Sequence, residues 1–140
     1  MSALRPALAI LAASVFAFPA LGADKPCTKP EAAKAQKALD AVATWAQLQK
    51  ASQEYRHCDV EGTSEQFTDA LMRLVIDWKN VDAFATCMKD AQFKSFVHTH
   101  FKSPAAKDDL QDVYARAKSS CPKGLDAFCE ELAEAAKPKK

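Results

Sequence analysis

The sequence predicts an all-α protein, a compact antiparallel bundle of four to five helices stapled by about two disulfides. Three observations predict it. Glycine, the usual residue of tight turns and phosphate-cradling loops, occurs three times in 140 residues, and only Gly62 and Gly124 lie beyond residue 23. Alanine, lysine and leucine are abundant while β-branched runs are absent, a composition that favours helices. Apolar residues then recur at three- and four-residue spacing through most of the chain after residue 28.

The first 23 residues stand apart. Arg5 gives a positive start, Ala7 to Phe18 is an apolar run, and Ala20-Leu21-Gly22-Ala23 is a small-residue exit. That order predicts a secretory signal peptide cleaved after Ala23. The run is too short for a membrane anchor, which needs about 20 apolar residues. Asp24-Lys25-Pro26 before Cys27 does not suit lipid attachment. Residues 24–140 are then expected to form one helical domain with one core, without a transmembrane segment. All five cysteines fall within it, so the expected location is periplasmic or secreted, where disulfides form.

The helices follow in order. Thr28 and Glu31 stand in capping-box spacing with Pro30 in the first turn. Ala35, Leu39, Val42, Trp45, Leu48 and Tyr55 then trace one face, giving a helix over about 29–57 with a weak middle at Ala51-Ser52-Gln53. Asp59-Val60-Glu61-Gly62 breaks it. Thr63 and Gln66 offer a second capping box, and Phe67, Leu71, Leu74, Val75 and Trp78 carry a stripe to about residue 79. Asn80 stops that helix; Val81, Phe84, Cys87 and Ala91 form a short one, continued or followed by another through Phe93, Phe96, Val97 and Phe101. Ser103-Pro104 reads as an N-cap with proline at the first helical position, and Asp108 and Asp109 suit the positive end of the helix that carries Leu110, Val113 and Ala117. Cys121-Pro122-Lys123-Gly124 is the last break, before a final helix through Leu125, Phe128, Leu132 and Ala136 and a short basic tail.

Five cysteines leave at least one without an intrachain partner, and Cys87, beside Met88 on an apolar face, is the expected odd one. Reach argues among the pairings of Cys27, Cys58, Cys121 and Cys129. A single helix over 29–57 would hold Cys27 and Cys58 about 40 Å apart, and a last helix starting at Pro122 would hold Cys121 and Cys129 about 12 Å apart. A disulfide needs Cα atoms within about 7 Å. The favoured pairing is Cys58 with Cys121 and Cys27 with Cys129, the crossed pairing comes close behind it, and the sequence-adjacent pairing comes last.

Function is bounded more than named. The chain holds 19 Lys and Arg against 18 Asp and Glu, and losing Arg5 balances them, which disfavours nucleic acid as a partner. His57-Cys58-Asp59 has the residue types of a thiol–imidazole pair, but sequence neighbours diverge at a helix end and Cys58 is wanted for a disulfide. His98 and His100, two apart on a helix, face about 200° apart and cannot share a metal ion there. No haem-attachment or redox Cys-x-x-Cys motif occurs, and neither a metal nor a cofactor is expected. Asp108-Asp109 with Asp112, and Glu130-Glu131 with Glu134, are carboxylate clusters that a glycoside hydrolase could use, although solvated helix faces explain them more simply. The crowded segment of Phe93, Phe96, His98, His100 and Phe101, beside Asp108 and Asp109, is the candidate interaction surface.

The expected function is therefore that of an exported binding protein whose partner is another exported protein. Its general type resembles small periplasmic helical proteins that bind and block an enzyme, such as immunity proteins and lysozyme inhibitors. No shared motif carries that likeness, so it implies no site residues. A small apolar-ligand carrier and a small carboxylate-dependent hydrolase are the alternatives.

Overall fold

A computed structural model describes residues 25–138. The expected signal peptide and the last two lysines lie outside the described residues. Among these residues there are seven α-helices, two single 3-10 turns and no strand. The helices are α1 (Lys29–Asp40), α2 (Trp45–Glu54), α3 (Ser64–Asp77), α4 (Val81–Cys87), α5 (Ala91–His100), α6 (Leu110–Ser119) and α7 (Asp126–Ala136). The all-α prediction holds, with more and shorter helices than expected.

The extra helices have local causes. The expected 29–57 helix is two, because the chain leaves the helix at Ala41 and restarts at Thr44, whose side chain accepts from Gln47 N while the Gln47 side chain accepts from Thr44 N. Arg73 on α3 donates to Leu39 O at 2.9 Å and so satisfies a carbonyl at the open end of α1. At the front of α1 the Thr28–Glu31 capping box forms as expected. The second predicted box does not: Thr63 gives its hydroxyl to the Cys58 and Val60 carbonyls, fastening the preceding turn instead of the helix. Asp90 caps α5 by accepting from Phe93 N at 2.7 Å, which separates α5 from α4. Ser103 and Pro104 open only the 3-10 turn Pro104–Ala106, and α6 starts after Asp109.

These short helices surround one core. Leu48, Phe67, Leu71, Val75, Phe84, Phe93, Val97, Val113 and Leu132 are at most 1 % exposed. Trp45 stacks on Phe84 with ring centroids 3.7 Å apart, and Phe128 of α7 meets Phe84 edge-on at 5.2 Å. Both indoles find acceptors where they leave the core, Trp45 at Lys79 O and Trp78 at Ser120 O. Cys87 is free and buried, as expected, and burial with nearby Asp90 pushes its thiol pKa up.

The disulfides correct the favoured pairing. The bonds are Cys27–Cys58 and Cys121–Cys129, with Cα separations of 4.8 and 6.0 Å. The reach argument failed because both helices it assumed were too long. With a break at 41–44, α1 and α2 run out and back, returning Cys58 to Cys27. The last helix begins at Asp126, not Pro122, and Gly124 at φ +86° turns the chain so that Cys121 lies against Cys129.

Candidate binding site

His57, Cys58 and Asp59 occupy the 3-10 turn after α2 and its exit, and each ties a different part of the fold. His57 Nε2 lies 3.3 Å from Glu31 Oε1 at the start of α1. Cys58, fully buried, bonds to Cys27. Asp59 Oδ2 lies 2.8 Å from Nε2 of His100 at the end of α5. Glu31 also takes hydrogen bonds from Lys25 and Thr28; these hold its pKa at about 2 against a small opposing effect of burial. The cluster that offered the residue types of a nucleophile and base is thus a crossing point, its sulfur consumed by a disulfide.

His100 is the buried centre of this crossing. It is 1 % exposed, between Phe96 and Phe67 with ring centroids at 4.4 and 6.1 Å. Its Nδ1 lies 2.8 Å from Thr68 Oγ1, and that hydroxyl lies 3.2 Å from Ser64 O. With Nε2–H donating to Asp59, Nδ1 and the Thr68 hydroxyl complete the line, the direction of that hydrogen bond following the ring's tautomer. Burial pushes the Asp59 carboxyl up, but the His100 hydrogen bond and charge, with a further bond from Ser64, outweigh it and leave the pKa below its ordinary value. Thr68 is fully buried, so the line Asp59–His100–Thr68 has no hydroxyl that a substrate reaches.

An open cleft of about 390 Å³ lies against this network. Ser52 and Gln53 of α2, with Arg56 and Asp59 after it, form one wall; Ala91, Gln92, Ser95, Phe96 and Thr99 of α5 form the other. Asp59 and Phe96 belong to both the cleft and the His100 contacts, so His100 positions two of the groups that shape the cleft. Gln53, Gln92, Ser95 and Thr99 present amides and hydroxyls at their exposed ends.

The candidate surface divides. Phe93, His100 and Phe101 are buried, at 0, 1 and 3 % exposure, and do not belong to any surface. Their apolar faces are wanted by the core, and a helix cannot present every side of a crowded aromatic segment outward. Phe96 and His98 are half-buried. Phe96 lines the cleft, whereas His98 turns to α7, its Nε2 3.4 Å from Glu131 Oε1. Asp108 is exposed and Asp109 half-buried, and neither lines the cleft. The other cleft groups, above all Arg56, Gln53 and Gln92, were missed, because only tertiary packing of α2 on α5 brings them together.

The histidines and carboxylates have other structural roles. His98 and His100 point to different partners, and among the described residues no three His, Cys, Asp or Glu side chains converge as a metal set. The Lys94 ammonium lies 2.9 Å from Glu131. Its hydrogen bond lowers the Glu131 pKa against an opposing effect of burial, with help from His98. A general acid in glycoside hydrolysis needs the opposite shift. Comparison with protein-family models, with curated proteins and with solved structures finds no match for this chain.

Proposed function

We propose that this protein is exported and acts by binding another protein through the α2–α5 cleft, in the manner of an inhibitor or immunity-type protein. The observation that carries this reading is the cleft itself: an open groove lined by Arg56, by glutamine and hydroxyl side chains and by the Phe96 ring, between helices joined through the buried Asp59–His100 contact, with the turn after α2 fixed by a disulfide. Pre-set walls of this kind lower the ordering cost of association. Two disulfides and the leader-like residues 1–23 support export. A carrier of apolar ligands draws less support, because Phe96 is the one large apolar side chain in the cleft lining and the others fill the core.

The test is site-specific photocrosslinking in extracts of the exported fraction. A photoreactive residue at Gln92, in the cleft wall, is expected to trap one protein of defined mass. The same residue at exposed Lys118 on α6, outside the cleft, is expected to trap none. Equal trapping at both positions, or at neither, counts against the cleft as the binding site.

A further inference from the structure

The charge of the cleft is one-sided. Its lining holds two charged residues, Arg56 and Asp59. Asp59 is turned inward: Oδ2 is engaged by His100 and Oδ1 is shut off from solvent. Arg56 is exposed and forms an ion pair with no carboxylate among the described residues. The free charge offered to an occupant is therefore a guanidinium. Around it stand the side chains of Gln53, Gln92, Ser95 and Thr99, none hydrogen-bonded within the described chain, and the half-buried ring of Phe96. A guanidinium fork matches a carboxylate in two parallel hydrogen bonds, glutamine amides match a peptide backbone as both donor and acceptor, and an aromatic ring in a groove wall takes an apolar anchor.

Resting on the proposal that the cleft binds protein, we infer that its occupant is an acidic segment of the partner, with an Asp or Glu carboxylate on Arg56 and a neighbouring apolar side chain on Phe96. The chemistry is a charge-assisted contact at a partly desolvated rim, so it favours association at low salt and fades as salt rises.

The probe is a displayed random-peptide library panned on the oxidised chain lacking residues 1–23. Enriched peptides are expected to carry an acidic residue beside an aromatic or aliphatic one. Their affinity should fall about tenfold in Arg56→Gln, as expected for loss of a charge-assisted bidentate contact, and further in Arg56→Glu. Ser95→Trp, which fills the groove from an exposed helix position, should abolish it. Enriched peptides without acidic residues, or binding indifferent to Arg56→Glu yet lost in Ser95→Trp, would overturn the acidic occupant and leave the cleft standing. No enrichment, or binding indifferent to Ser95→Trp, would overturn both. Urea midpoints of the variants within error of the parent exclude unfolding as the cause, since both side chains are exposed.

Discussion

The two disulfides close different kinds of loop. Cys27–Cys58 spans 31 residues and ties the start of α1 to the turn after α2, from which Asp59 bonds to His100 at the end of α5 and His100 in turn to Thr68 of α3. Cys121–Cys129 spans 8 residues and fastens one turn of a helical hairpin, α6 on α7, whose helices pack chiefly on each other. The hairpin meets the rest through Phe128 on Phe84, Trp78 on Ser120 O, and Lys94 on Glu131. The cleft lies on the first region, where constraint is long-range. Long-range ties fix the relative placement of helices; a short-range tie fixes only the shape of a turn.

The largest difference is expected on breaking the bonds. In the chain-entropy model, loops of these sizes are worth about 4 kcal/mol for Cys27–Cys58 and about 2.5 kcal/mol for Cys121–Cys129. Urea unfolding of the two Cys-to-Ala pair variants measures both. A larger loss at Cys121–Cys129 would show that the hairpin, not the crossing, limits stability.

Removing the buried centre of the first region comes next. His100→Ala leaves Asp59 and Thr68 without their partner and opens a cavity, and should cost about 3 kcal/mol, near the lower end for breaking a buried pair because Asp59 keeps some solvent. Thr68→Val, which keeps shape and deletes one hydroxyl, should cost about 1–2 kcal/mol. A loss under about 1 kcal/mol in His100→Ala, small for a buried network on this scale, would mean that the crossing is held by sulfur and packing alone.

Acid should weaken the same network. Asp59 has a lowered pKa in the folded chain, so the unfolded chain binds protons first as pH falls. The stabilisation is complete above the ordinary carboxylate range, about pH 4, and is lost as pH drops from there through the lowered folded value. Between pH 6 and pH 3 the urea midpoint should fall less steeply in Asp59→Asn than in the parent. Glu31 titrates in the same direction, but its partner Lys25 is exposed whereas His100 is buried, so the share of Glu31 should shrink more with added salt than that of Asp59. Equal slopes in parent and Asp59→Asn would sever the Asp59–His100 contact from acid sensitivity.

Much of this was legible in the residues, and the failures share one physical origin. Thr28 with Glu31 and the apolar neighbours of Cys87 are local signals, and the structure follows them; α3 stops short of Asn80, at Asp77, where Trp78 turns left-handed. The break at 41–44 contains no glycine or proline, and the apolar stripe continues through Val42 and Trp45. The signal present was Thr44-Trp45-Ala46-Gln47, a capping box inside an apparently continuous face. Reading 29–57 as one helix misplaced Cys58, and that error reversed the disulfide pairing. Phe93 and Phe101 look like surface only while the partners that bury them, far away in sequence, are unknown. Arg56 and Gln92 had no local signal; packing of α2 on α5 creates their proximity.

The smallest expected effect lies at the seam between the two regions. Lys94 and His98 of α5 face Glu131 of α7, a contact with long-range separation and lowered carboxylate pKa. Each side chain is more than a third exposed, so solvent screens the pair and its worth should be within about 0.5 kcal/mol. Glu131→Gln should therefore leave the urea midpoint nearly unchanged, and added salt should erase what difference remains. Apolar burial of Phe128 and Leu132 would then hold the hairpin against the crossing. A loss above about 1 kcal/mol, beyond the usual range for exposed pairs, would instead make this ion cluster the fastening between the regions, and the hairpin would swing when Glu131 is protonated.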